Sequence, residues 1–348
     1  MPAGDFHALV DAQVALLGSR GDDAVSERRK TSATSALLEL KVQYCGVVLR
    51  WEVCCFEAGI DLVPVDVGLA SQEDAYEVFA LASMPAVQAW LPLNPKGLVD
   101  VAADIRGTFS AHQRQTIEKH PNRAIAFNFD AIKHRDGLEC CVRQRAQAAT
   151  ATTTSTTEVV FDFPLFEPAP ELDARLLPIR ICIRVPAEGS SGGGGTLADV
   201  KLVLPRHVTM RLTGAYLPKP WNLDGSLWDY LPAVQEYVRN AWAKRKELTQ
   251  ALVATYNVLE YDAVDYSAVH LMAKQKLEKQ PVVRLLEFSF TLDFPEKAPQ
   301  MTIHEFAGSR VWKLDTALYR YSPRWTAHRM GEELFVHALA HSQAWTAP

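Results

Sequence analysis

At 348 residues, 48% of them hydrophobic, the chain can bury more than one core, and two or three domains of roughly 100–200 residues are expected. A formal net charge of −5 lacks the basic excess of an electrostatic nucleic-acid binder, and no apolar run approaches the roughly 20 residues needed to span a bilayer. Six cysteines without a CxxC spacing argue against a disulfide framework, a redox motif and a zinc knuckle, and point to a reducing compartment.

The first stretch, "MPAGDFHALVDAQVALLGSR", has Asp5 and Asp11 where an export signal carries positive charge, so an ordinary amphipathic helix is expected there. "VVLRWEVCCFE" reads as a strand through Val47, Leu49, Trp51 and Val53, followed by the proline-interrupted "LVPVDVGLA". The adjacent pairs Cys54–Cys55 and Cys140–Cys141 are expected to point to opposite faces of a strand. "AYEVFALASM" and "GLVDVAADIRGTFSAHQRQTIEKH" have helical spacing, with Leu98, Val101, Ile105 and Phe109 on one face and "LPLNPKG" as the turn between them. Strands first and helices afterwards is an α+β order, not an alternating α/β one.

"AQAATATTTSTTE" (146–158) is low-complexity and lacks the large apolar groups that offset chain entropy, so it reads as a linker. Three strand-like runs follow, "EVVFDFPLF", "LPIRICIRV" and "DVKLVLP", with "GSSGGGG" (189–195) between the last two. A phosphate loop needs GxxxxGK[ST] before a helix; neither is present, and a flexible hairpin loop is the reading.

The longest helical pattern covers 226–257, with Leu231, Val234, Val238, Ala241, Leu248 and Leu252 mostly on one face. Lys244, Arg245 and Lys246 on it are weighed as a docking patch for an acidic partner against a solvated helix face, the usual fate of a charge run. Further strands are read at "VLEYDAV", "YSAVHLMAKQKLE", "VVRLLEFSFTLDF" and "QMTIHEF". Within "FSFTLDFPEKAPQMTIHEF", Phe288, Phe290, Leu292 and Phe294 share one side of a period-2 pattern. Pro295 and Pro299 cannot donate a ladder hydrogen bond and must bend the chain off the sheet before "MTI" rejoins it. In "YSPRWTAHRMGEELFVHALAH", Ser322 reads as an N-cap with Pro323 at the first helical position, and Met330, Leu334 and Ala338 as the buried stripe.

Motifs of catalysis are sparse. "HALAH" places His337 and His341 four apart on a helix, but no acid or third histidine sits at supporting spacing for a metal. "IHEF" lacks the second histidine of a zincin, and serine-triad and dinucleotide signatures are absent.

A helix, an antiparallel meander, a proline-marked exit and C-terminal helices together resemble the ubiquitin-conjugating (E2) fold, whose third and fourth strands are joined by a proline-rich turn similar to "LDFPEKAPQMTI". An ordered set of weaker motifs narrows this: "LRWEV", Trp90 with Asn94 and Pro95, "KRKELTQAL", "VLEYDA" and "YSPRW". In that order they resemble the BRE (brain and reproductive organ-expressed) family, the E2-variant subunit of the BRISC and BRCA-A deubiquitinase complexes. The resemblance runs patchily from about residue 45 and is best over the last hundred or so residues; the Ala/Thr and glycine runs depart from it as insertions.

The resemblance implies an α+β chain of tandem UEV/RWD-like domains, antiparallel sheets flanked by helices. It would have an N-terminal E2-variant-like domain at 1–145, the 146–158 linker, a degenerate middle unit at 159–225, and a C-terminal E2-variant domain at 226–348 led by the long helix. It implies a non-catalytic scaffold that joins an Abraxas-type subunit carrying a JAMM metalloprotease to a von Willebrand A-like subunit. The complex would cleave non-degradative polyubiquitin, itself a further candidate partner, in cytoplasm and nucleus, with a role in the DNA damage response. No catalytic, cofactor or metal-binding residue is assigned, and no direct nucleic-acid or membrane partner; Tyr321, Pro323 and Trp325 are the candidate partner-binding residues.

E2 chemistry needs a thiolate nucleophile and an Asn that stabilises the oxyanion, placed as His-Pro-Asn shortly before the cysteine. "HPN" occurs at His120, Pro121 and Asn122, yet the next cysteines are Cys140–Cys141 and the chain has none after Cys182. The rival readings are an E2-like enzyme, the substrate-binding part of a Fanconi-type ubiquitin ligase, whose cysteine-rich RING spacing is missing, or a free-standing ubiquitin-binding module.

Overall fold

The computed structural model describes residues 3–19, 23–69, 71–145, 156–187, 198–203, 221–263, 265–277, 280–291, 293–305, 311–315 and 320–344. The Ala/Thr run up to residue 155, the glycine run 189–195 and Leu292 lie outside these residues. Among the described residues the chain is α+β, with seven α-helices and thirteen strands in three sheets. It forms two units, 1–162 with 183–198, and 163–182 with 199–348. The stretch 159–225 therefore contributes to both.

The first unit opens with α1 (Ala3–Ser19) and an antiparallel meander of β1 (Ala24–Ser32), β2 (Ser35–Tyr44), β3 (Val47–Phe56) and β4 (Gly59–Asp66). Period-2 alternation decides which face is buried. On β2, Leu38, Leu40 and Val42 face inward; on β3, Leu49, Trp51, Val53 and Cys55 do the same. Cys54, on the other face, is only half-buried. The hairpin between β2 and β3 turns at Cys45 and Gly46, both at positive φ (48° and 73°), the geometry of a two-residue turn whose twist suits antiparallel strands.

Helices α2 (Gln72–Phe79), α3 (Pro85–Gln88), α4 (Gly97–Glu118) and α5 (Arg123–Ile132) follow. Their aromatic residues close the core: Phe79 meets Trp51 edge-on at 4.7 Å between centroids and stacks with Phe109 at 6.4 Å. The "LPLNPKG" turn is fixed by a fully buried Gln13, whose carbonyl accepts from Leu98 N (3.0 Å) and whose amide donates to Pro92 O (3.0 Å). A Cβ on Gly97 would come within 2.8 Å of Gln13 Oε1 and 2.9 Å of the Trp90 ring, so only glycine lets α4 start here. Strand β5 (Glu139–Arg145) pairs antiparallel with β6 (Thr156–Pro164), and this third sheet continues to β7 (Arg180–Pro186) and β8 (Asp199–Val203). Cys140 and Cys141, although on opposite faces, are both fully buried, because β5 is covered on each side.

The second unit is led by α6 (Leu227–Thr255), with Ser226 Oγ accepting from Trp228 N (3.1 Å) as its N-cap. All six apolar residues expected on one face of α6 are buried. A five-stranded antiparallel sheet follows: β9 (Val258–Tyr261), β10 (Ala268–Leu277), β11 (Gln280–Ser289), β12 (Gln300–Glu305) and β13 (Val311–Leu314), in the order β13-β12-β11-β10-β9. Helix α7 (Ala327–Ala344) packs on α6 and on β10 and β12. One core cluster joins Leu248 and Leu252 of α6, Leu286, Phe288 and Phe290 of the sheet side, Phe294 of the turn, and Met330, Leu334 and Ala338 of α7.

Phe288 is fully buried at the centre of that cluster. Phe288→Ala is expected to cost about 3–5 kcal/mol, seen as a lower urea midpoint. Val336→Ala, at a site 61% exposed on α7, is expected to stay within about 0.5 kcal/mol of the parent.

Candidate partner-binding site

Two proline-marked stretches meet in the second unit. The β11–β12 connection leaves the sheet after Ser289 and returns at Gln300, as Pro295 and Pro299 require. Its turn is closed by Lys297, whose N–H donates to Asp293 O (2.9 Å) and whose ammonium pairs with the Asp293 carboxylate (2.6 Å). Tyr321 donates its hydroxyl to the Pro295 carbonyl at 2.6 Å. Burial, and to a lesser degree the Glu296 carboxylate, hold that hydroxyl above the ordinary phenol range, so it remains a donor.

Trp325 lies edge-on to Tyr321, with centroids 6.3 Å apart, and the Arg329 guanidinium sits 4.7 Å from the Trp325 ring centre. Both rings are half-buried against the core cluster, while Pro323 and Arg324 are exposed. The three candidate residues thus share one corner: two rings seal the domain, and Pro323 is presented outward.

The helix start differs from expectation. Helix α7 begins at Ala327, and Thr326 is its cap: Thr326 Oγ1 accepts from Arg329 N (3.4 Å) and Thr326 O from Met330 N (2.9 Å). Ser322 instead opens a β-turn, its carbonyl accepting from Trp325 N (3.1 Å) and its hydroxyl from Arg324 N (3.3 Å). Proline's fixed φ suits the second position of such a turn as well as the first position of a helix. That shared preference is why the two are easily confused.

The basic run on α6 is largely engaged within its own unit. Arg245 is 3% exposed, with Nε donating to Ala241 O (3.3 Å) and Nη1 4.0 Å from the Asp265 carboxylate, so the solvated-face reading fails for it. Burial draws its pKa down, and Asp265 opposes that shift. Lys246 sits 4.9 Å from the Trp242 ring centre and 4.0 Å from Asp173, and Lys244 pairs with Glu247 at 2.8 Å.

The "HPN" motif is a helix cap. Asn122 Oδ1 accepts from Ala124 N (3.0 Å) at the start of α5, and Asn122 N donates to His120 Nδ1 (3.1 Å). Burial pushes the Cys140 thiol up to about 12, which keeps it protonated at neutral pH. The His337 and His341 rings lie 4.4 Å apart, and burial together with His341 lowers the His337 pKa. In "IHEF", His304 faces Glu287 at 3.3 Å; Glu287 also lies 3.9 Å from His270, which pairs with Glu260 at 3.2 Å. This ladder across β9 to β12 is set by strand register, which no linear motif displays. Among the described residues, no group of three or more His, Cys, Asp or Glu side chains is arranged to hold a metal ion, and no helix is long and apolar enough to cross a membrane.

Fold and site define an α+β protein of antiparallel sheets and packed helices whose second unit is closed by a proline-turn latch. Residues 196–306 match the family model described as Brain and reproductive organ-expressed protein (BRE), so over those residues the chain is similar to that family. The match spans β8 through β12 and includes "KRKELTQAL", "VLEYDA" and the proline turn; "LRWEV" and "YSPRW" lie outside it. No curated protein matches the chain.

Tyr321→Phe is expected to cost about 1–2 kcal/mol, by leaving the Pro295 carbonyl without its donor, while Pro323→Ala stays within about 0.5 kcal/mol. Because the folded-state pKa of Tyr321 is raised, its share of stability is full below the unfolded phenol value of about 10 and is lost above it. The stability difference between the parent and Tyr321→Phe should therefore shrink as denaturation is measured from pH 9 upward, through about 10.

Proposed function

We propose that this protein is a non-catalytic scaffold subunit of a BRISC-type deubiquitinase assembly. It links an Abraxas-type subunit carrying a JAMM metalloprotease to a von Willebrand A-like subunit. The observation that carries this reading is the BRE-family match at 196–306, which falls on the long helix and the sheet of the second unit. The zinc and the hydrolysis belong to the partner; this chain contributes shape and surfaces. Cleavage of non-degradative polyubiquitin, a place in cytoplasm and nucleus, and a role in the DNA damage response follow as parts of the same reading, with tandem E2-variant domains as its architecture.

The residues that an E2-like enzyme would use are otherwise engaged, which supports a scaffold over an enzyme. Asn122 caps a helix, and the thiols of Cys140 and Cys141 are fully buried. Incubation with E1, ATP and ubiquitin is expected to leave no DTT-sensitive adduct on the full chain. An adduct that disappears in the Cys140→Ala, Cys141→Ala double variant would overturn the reading.

The direct test is affinity purification of the tagged full chain from its own cells, followed by a polyubiquitin cleavage assay. Chelator-sensitive cleavage should accompany the chain and be absent from the chain purified alone. Activity in the isolated chain, or none in the captured assembly, would contradict the scaffold role.

A further inference from the structure

The corner that carries Tyr321, Pro323 and Trp325 also gathers positive charge without a counter-charge. Between Asp315 and Glu332 the sequence has Arg320, Arg324 and Arg329 but no aspartate or glutamate, in a chain whose formal net charge is −5. All three arginines are exposed. Among the described residues no carboxylate lies within ion-pair distance of any of them. The acids near this corner are otherwise placed. Glu332 faces His328 at 3.3 Å, Asp293 pairs with Lys297 at 2.6 Å, and Glu296 lies by the Tyr321 hydroxyl, whose ionisation it opposes.

The placement of these cations works against the free chain. The first turn of α7 holds His328 and Arg329 and no acidic residue, although a helix macrodipole favours acids at that end and disfavours cations. The corner is also held in one arrangement. The Ser322–Trp325 turn is closed by its backbone hydrogen bond (3.1 Å), the Tyr321 hydroxyl ties it to Pro295, and the Arg329 guanidinium rests 4.7 Å from the Trp325 ring centre. Groups held in place before binding lose less freedom on binding, and a guanidinium matches a carboxylate with two parallel hydrogen bonds. An anionic group here would gain attraction and relieve the helix end, while a neutral or cationic one would do neither.

We propose that this corner docks an acidic segment of a partner polypeptide, with at least two aspartates or glutamates seated on Arg320, Arg324 and Arg329 and an apolar side chain against the exposed Pro323. The inference rests on the scaffold reading, since it supposes that the chain works inside an assembly, and it adds the chemistry of the partner at this corner.

The test reconstitutes the full chain with its purified metalloprotease-bearing and von Willebrand A-like partners. Three double variants are compared with the parent: Arg320→Glu with Arg324→Glu, Arg320→Lys with Arg324→Lys, and, as a control of equal charge change on the first unit, Lys96→Glu with Arg123→Glu. Melting temperature is measured on each chain alone, and affinity for each partner on each mixture. The Arg320→Glu, Arg324→Glu chain should keep its melting temperature, because both side chains are exposed, and should bind one partner at least tenfold more weakly. The control should bind like the parent. The Arg320→Lys, Arg324→Lys chain should retain most of the affinity, and carbodiimide treatment of its complex should join position 320 or 324 to an aspartate or glutamate of that partner.

Equal binding by all variants, from a parent chain that does assemble, overturns this inference and leaves the scaffold reading standing. A parent chain that binds neither partner overturns the scaffold reading, and the inference with it. A lower melting temperature in the Arg320→Glu, Arg324→Glu chain would mean that the arginines serve the fold. Binding of the isolated parent to phosphatidylserine vesicles, lost in that variant while both partners are still bound, would make the occupant a lipid surface. Either of those results also overturns the proposal.

Discussion

The second unit depends on one hydrogen bond that crosses 26 residues of sequence, from the Tyr321 hydroxyl to the Pro295 carbonyl. Proline turns leave the sheet because they cannot extend its ladder, and a connection that leaves must be fastened elsewhere if it is to hold one conformation. Here the fastener also supports the approach to α7, since Tyr321 begins the turn-and-cap segment that starts the last helix. Phe294 enters the core from the turn, and Trp325 packs from the helix side. The exit from the sheet and the docking of the last helix are thus held at one point.

The interior of this unit is not purely apolar. Arg245 and Asp265 are nearly buried on α6 and on the β9–β10 connection, with Asp265 accepting from Ser267 N at 3.0 Å. Tyr266, held at φ 56°, receives a hydrogen bond from Arg175 at 2.6 Å and an edge-on contact from Trp242 at 5.4 Å between centroids. A non-glycine residue in the left-handed region persists only where its surroundings over-determine it. Buried polar pairs contribute little net stability, but breaking one leaves an uncompensated charge. Within the basic run of α6, Arg245 is thus set against the β9–β10 connection through Asp265, while Lys244 and Lys246 stay partly exposed.

Much of this was legible in the chain itself. The strand periodicity of β3, β6, β7 and β10 to β12, the buried stripe of α6, and the proline exit all follow from residue spacing that packing did not override. What escaped has identifiable causes. Strand β1, "AVSERRKTS", carries four charged residues in nine and shows no alternation of apolar with polar groups. Strand β13 has four residues, too few to show a period. Helix α5 was hidden behind the "HPN" that caps it. Arg245 reads as a surface charge because its neighbours in sequence, Lys244 and Lys246, remain partly exposed, and its burial is offset by the Ala241 carbonyl and the approach of Asp265, neither of which the sequence displays. Of the candidate site, the residues Tyr321 and Trp325 were visible, but their tie to Pro295 was not, since a contact to a backbone carbonyl leaves no mark in the side-chain pattern.

The proposed role of this chain as a bridge is a statement about mass and connectivity. Mass photometry of this chain mixed with the purified metalloprotease-bearing pair and the von Willebrand A-like subunit tests it directly. The account predicts a species containing all components, and no association between the two partners when this chain is left out. Partners that join equally well without it, or a chain that remains at its free mass in the full mixture, would contradict it.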